Sequence, residues 1–187
     1  MSSILKVDQL QDSGGNEIIT SNGSGTITVN NQTFKNGITM VDQWRLTTSI
    51  TADVDPIASG LERVDNSSYG GIGTGMTESS GEFTFPSTGI YSILVKTNIF
   101  VSSDSNIGLY VYVDSGSGYD FVEDIAGGNS AGTGRSSNFG SIMVDVTNTS
   151  DFKVKFRAVS LNNGNQIILG NTDYNRTSFT FIRLGDT

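Results

Sequence analysis

The chain has 187 residues, 35% of them hydrophobic, with 23 glycines, 2 prolines and neither cysteine nor histidine. Without cysteine there are no disulfide frameworks, thiolate metal sites or thiol catalysis, and without histidine the usual general base near neutral pH and the commonest neutral metal ligand are missing. A formal charge of −8 with no Lys/Arg stripe argues against a nucleic-acid partner, because phosphate binding depends on cations that displace counterions.

The length suits one ordinary domain plus an appendage, and the light, glycine-rich apolar content points to a turn-rich, all-β fold. No run approaches the roughly 18 apolar residues of a membrane span, and the N-terminus lacks the apolar segment of a signal peptide. A soluble protein without membrane insertion is expected.

Residues 1–40 differ from the rest. Short apolar pulses at Ile4, Leu5, Val7 and Leu10, at Ile18 and Ile19, at Ile27 and Val29, and at Phe34 and Ile38 are separated by Gly14-Gly15, Asn22-Gly23 and Asn36-Gly37. Such pulses predict small β-hairpins, and an isolated two-stranded ribbon is marginal in water. This arm is therefore expected to pack on copies of itself or on a partner, with Ile4, Leu5, Val7, Leu10, Ile18 and Ile19 as its anchoring residues.

Residues 41–187 read as a second domain of longer strands. They are predicted near Gln43 to Thr48, Leu61 to Val64, Gly81 to Phe85, Ile90 to Val101, Ile107 to Val113, Tyr119 to Glu123, Ser141 to Val146, Phe152 to Val159, Gln166 to Leu169 and Ser178 to Leu184. Regular spacing with turn clusters between predicts a sandwich or jelly roll, and no segment has a helical period. The most telling stretch is GEFTFPSTGIY, from Gly81 to Tyr91. Phe83 and Phe85 fall on one face of a strand, Pro86 stops the ladder, Gly89 permits a bend and Tyr91 opens the next strand. There Tyr91, Ile93, Val95, Thr97, Ile99 and Val101 alternate with polar positions, the mark of a half-buried antiparallel strand. Thr84, between the two phenylalanines, is expected to be exposed. Lys153, Lys155 and Arg157 alternate with Phe152, Val154, Phe156 and Ala158, which makes them the solvent face of one strand.

Motifs that could carry chemistry fare poorly. Gly128-Asn129-Ser130-Ala131-Gly132 matches the nucleophile elbow G-x-S-x-G, but an elbow serine needs a histidine base and a following helix, and the flanks read as loop. The glycines of SYGGIGTG, Ser68 to Gly75, lack the Gly-Lys pair of a phosphate loop and read as a connection between strands. The carboxylates Asp114, Asp120, Glu123 and Asp124 fit a calcium loop, a glycosidase pair or a plain hairpin turning at Gly116 and Gly118, of which the hairpin is preferred. No catalytic residue, cofactor or metal site is expected.

Two resemblances follow from these residues. GEFTFPSTGIYSI is similar to the G-x-F-x-x-x-x-x-G-x-Y corner of the C1q/TNF-like superfamily, and FTFIRLGD to its closing strand, which implies a ten-strand jelly roll that trimerises about a threefold axis. DQWRLTTSITADVDPIASGLERVD followed by GIGTGMTESSGEFTFPSTGIY resembles a domain found repeatedly in virion proteins of marine tailed phages, cyanophages among them. ILKVDQLQDSGGNEIITSNGSGTITV resembles the N-terminal segment that prefaces many such fibre and decoration proteins. The resemblance implies a homotrimeric structural protein of the virion surface, whether capsid decoration, head fibre or tail fibre, anchored to other virion proteins of capsid or tail by its arm. A tail-fibre adhesin for a host-surface glycan, using loop side chains such as Tyr69, Tyr119, Tyr174 or Asn171, is the second expectation, and a carboxylate-dependent depolymerase the third.

Overall fold

The computed structural model describes residues 9–25, 27–29, 37–102, 105–129, 132–161 and 165–187, and no helix occurs among them. The chain divides into two compact units, 1–37 and 38–187. The division falls slightly before the expected 40/41 boundary because Met40 opens a strand of the larger unit and is buried in its core.

The small unit is an antiparallel three-stranded sheet, β1 (Gln9–Gln11), β2 (Glu17–Ser21) and β3 (Ile27–Val29), in that order. The first turn is built by Asp12, whose Oδ1 accepts the backbone N–H groups of Gly14 and Asn16 at 2.8 and 2.9 Å, the self-bonding that makes Asp a turn residue. The register pairs Leu10 with Ile19 and Ser21 with Ile27, so Leu10, Ile19 and Ile27 share one face. Leu10 is 50% and Ile27 66% exposed, while Ile18 and Ile19 are half-buried. Ile4, Leu5, Val7 and Phe34 lie outside the described residues.

The large unit is a two-sheet sandwich. One sheet has the order β11 (Thr133–Val146), β8 (Gly89–Ser102), β14 (Ser178–Gly185), β4 (Met40–Leu46), β5 (Leu61–Arg63), with β13 (Gln166–Ile168) paired to the far end of β8. The other has the order β10 (Tyr119–Asn129), β9 (Ser105–Ser115), β12 (Phe152–Val159), β7 (Glu82–Thr84), β6 (Thr77–Ser79). The alternation read in β8 is the observed one: Tyr91, Ile93, Val95, Thr97, Ile99 and Val101 are all buried. They meet Leu109, Val111, Val154 and Phe156 of the opposite sheet in a single core.

Phe83 sits where the sheets meet. Its ring lies 5.3 Å from Trp44, 5.6 Å from Phe156 and 5.3 Å from Phe181, and Phe156 stacks on Phe179 at 4.0 Å. Each such pair adds about 0.5–1.5 kcal/mol beyond burial, so this cluster holds the sheets together more specifically than aliphatic contact would.

Two expectations need correction. Ser80 and Gly81 both have positive φ, 54° and 86°, and form the two-residue turn between β6 and β7, a geometry whose twist matches paired strands. Because β6 lies beside β7 with Thr77 opposite Thr84, Thr84 is half-buried rather than exposed. The flanks of Ser130 are also not loop: Gly127 to Asn129 end β10 and Thr133 to Ser137 begin β11. Ser130 and Ala131 lie outside the described residues, but the strands around them exclude the strand-to-helix setting of an elbow.

Candidate functional site

At the Gly81 to Tyr91 corner, Phe83 and Phe85 are buried, Phe85 packs edge-on against Tyr91 at 4.8 Å, and Pro86 is half-buried. The Tyr91 hydroxyl donates back to the Ser87 carbonyl at 2.9 Å. Gly89 begins β8 with φ 136°, and a Cβ there would fall 2.4 Å from the Gly185 carbonyl and 2.6 Å from Arg183 Nε. Glycine is thus required both by conformation and by close approach. Arg183, itself buried, donates through Nε to the Thr88 carbonyl at 2.8 Å and closes the corner.

The acidic residues of the β9–β10 hairpin do not converge on a metal. Asp114 Oδ1 accepts the N–H groups of Gly116 and Gly118 at 2.8 and 3.0 Å, and Tyr119 pairs with Asp114 across the turn. Among the described residues no group of three or more Asp, Glu, His or Cys is placed to hold a metal. On the same sheet Lys153 meets Glu82 at 3.1 Å and Lys155 meets Asp55 at 2.9 Å. The Tyr119 hydroxyl donates to Glu82 at 2.7 Å. That hydrogen bond, then the one from Lys153, holds the Glu82 carboxyl below its ordinary range. Burial, and then Glu82, pushes the Tyr119 hydroxyl well above the usual tyrosine value.

The sequence reading missed a polar network on β4. Asp42 occupies an inward position between Met40 and Trp44 and is 2% exposed. It accepts from Trp44 Nε1 at 2.9 Å, from Met76 N at 2.8 Å and from Arg63 at 2.9 and 3.2 Å. The glycine-rich segment exists to pass this carboxylate: a Cβ on Gly75 would lie 2.5 Å from Asp42 Oδ2, and one on Gly73 2.3 Å from the Thr39 carbonyl. A charge in the inward register of V-D-Q-W-R-L was the available signal.

On the outer face of β4 a cleft of about 400 Å³ opens between residues 64–70 and 171–176. Gln43 lies at its base: its Nε2 donates to Thr180 Oγ1 at 2.8 Å and its Oε1 accepts from Asn175 Nδ2 at 2.7 Å. Arg45, 1% exposed, binds Glu62, Asp65 and Asn66 with one nitrogen each at 2.6, 2.6 and 2.5 Å. Asn66 Nδ2 then reaches across to the Asp173 carbonyl at 3.0 Å and ties the two loops together. The Tyr69 hydroxyl accepts from Gln43 N at 2.8 Å, and burial, with Asp42 nearby, raises it above the ordinary value. Tyr174 is 52% exposed, and Arg176 donates twice to its hydroxyl, at 3.1 and 2.7 Å. Of the four residues proposed for glycan contact, Tyr69 and Tyr174 meet here. Asn171 is spent inside the loop, accepting from Asp173 N and Tyr174 N at 2.8 and 3.1 Å, and Tyr119 lies on the other sheet.

A separate surface is apolar. Phe139 and Met143 on edge strand β11 are 65% and 76% exposed, and Phe121 and Val122 on edge strand β10 are 52% and 41% exposed. These two edges approach each other, since a Cβ on Gly140 would lie 2.5 Å from Ile125 Cγ1.

No protein-family model and no curated protein sequence matches the chain. Its fold is similar to solved structures. Eiger TNF from S. frugiperda aligns with TM-score 0.61 at 13% identity over 81% of this chain and 95% of that one. Murine APRIL, in a structure at pH 8.5, aligns with TM-score 0.56 at 14% identity over 78% of this chain and 98% of that one. The large unit has a TNF-like jelly-roll fold, as the corner and closing-strand residues implied.

Proposed function

We propose that the protein is a homotrimeric, non-catalytic structural component of a tailed-phage virion surface, displaying its jelly roll outward and held to other virion proteins by the unit of residues 1–37. The observation that carries this reading is apolar surface left open in both units, at Phe121, Val122, Phe139 and Met143 in one and at Leu10 and Ile27 in the other. Surface of this kind in a stable β-protein marks contacts with other chains, and closed cyclic symmetry covers it without leaving a growing edge. The virion setting rests on the resemblance of both segments to phage fibre and decoration proteins.

Mass measurement of the intact chain in solution should give three copies, and a monomer persisting at micromolar concentration overturns the trimer. A chain shortened to residues 38–187 should fold and stay out of particles. Normal incorporation of that shortened form would refute the anchor.

A further inference from the structure

We infer that the cleft between residues 64–70 and 171–176 is a binding site for a neutral saccharide. The first argument is hydrogen-bonding capacity. A primary amide carries two N–H donors, and Gln43, Asn66 and Asn175 each commit one of theirs, to Thr180 Oγ1, the Asp173 carbonyl and Gln43 Oε1 at 2.8, 3.0 and 2.7 Å. Each therefore keeps a second N–H, on an amide plane already fixed by the first, and the buried Asn175 Oδ1 has no partner among the described residues. Ser68 and Asp173 line the same cleft, one a hydroxyl-bearing and the other a carboxylate-bearing residue.

The second argument is the aromatic wall. Tyr174 presents a half-exposed ring whose hydroxyl is pinned by Arg176, and a ring held this way gives broad apolar contact at small entropic cost. A pyranose, with C–H groups on its faces and hydroxyls around its rim, matches a flat ring beside convergent amides. The third argument is charge. Asp173 is the one charged residue among those that line the cleft, the Arg176 guanidinium beside it is engaged by the Tyr174 hydroxyl and ring, and the chain carries −8 overall, so an anionic sugar or phosphate is disfavoured. A volume of about 400 Å³ falls within the usual size of small-ligand sites. The inference uses the surface of a single protomer and is independent of the trimer and virion readings.

The test is ligand-detected saturation-transfer NMR of the intact chain with methyl glycosides of glucose, galactose and mannose, and with methyl glucuronide as the anionic comparison. At least one neutral glycoside should bind in the millimolar range expected of so small a ligand. Tyr174→Ala and Asp173→Asn should each weaken it about tenfold or more. Tyr110→Ala, on β9 of the other sheet where its ring packs against Phe121 at 4.7 Å, should leave it unchanged, and cooperative thermal unfolding should show that every variant is folded. Absence of transfer to all three neutral glycosides, stronger binding of the glucuronide, or unchanged binding in both cleft variants overturns the assignment.

Discussion

Phe85 and Thr84 are neighbours in sequence with opposite surroundings. Phe85 is 4% exposed and packed on Tyr91, so Phe85→Ala loses its burial and leaves a cavity, at a cost of about 3–5 kcal/mol. Thr84 is half-buried, with its hydroxyl making one long 3.4 Å contact to the Thr77 carbonyl. Thr84→Ala should cost about 1 kcal/mol, near the centre of the distribution for point mutants. Chemical unfolding of the two variants, with the assembly state held constant, checks the order, and equal losses would contradict the register. Asp42 shows the opposite economy: a buried charge is tolerated because five N–H and O–H donors surround it, and losing Arg63, which supplies two of them and the countercharge, would leave the carboxylate buried and uncompensated.

Between elements, Glu82 links β7 to β12 through Lys153 and to β10 through Tyr119. Because its pKa is lowered on folding, its contribution to stability is fully present above the ordinary carboxyl value and is lost as pH falls through the depressed one. Tyr119→Phe removes the largest of the lowering causes, so the Glu82 titration should move upward and the acid-side loss of stability should begin at higher pH. Carboxyl NMR titration of wild type and variant reads this directly, and identical midpoints would mean that the hydrogen bond does not form in solution. The edges β10 and β11 carry a different prediction. If Phe139 and Met143 face another protomer, replacing both by lysine should convert the proposed trimer to monomer while thermal unfolding of the monomer remains cooperative. Retained trimer mass would place the interface elsewhere.

At the scale of the molecule, two units divide the work. The jelly roll buries one continuous core between its sheets and has the composition to fold by itself. The three-stranded unit places Leu10, Ile19 and Ile27 on one face with Leu10 and Ile27 largely exposed, so its apolar face is not fully covered within the chain. Assembly covers that face in the proposed role.

The all-β sandwich, ten of its strands and the inward set of β8 could be read from the sequence, because period-two alternation is a local property that burial simply enforces. The corner residues were legible for the same reason: proline, glycine and aromatic spacing act over a few positions. Strand β6 was not, since Thr77–Ser79 carries no apolar residue to mark an inward face and its turn depends on positive φ at Ser80, a non-glycine. The cleft was only partly legible. Tyr69 and Tyr174 stood out as loop aromatics, but Gln43, Asn66 and Asn175 are held by hydrogen bonds that span 21 to 137 residues, among themselves and to Arg45 and Thr180. Sequence determines which face a side chain takes along its own strand. Which distant loops close over that face is decided by the pairing of β4 with β14 and β5, a long-range property that no local pattern encodes.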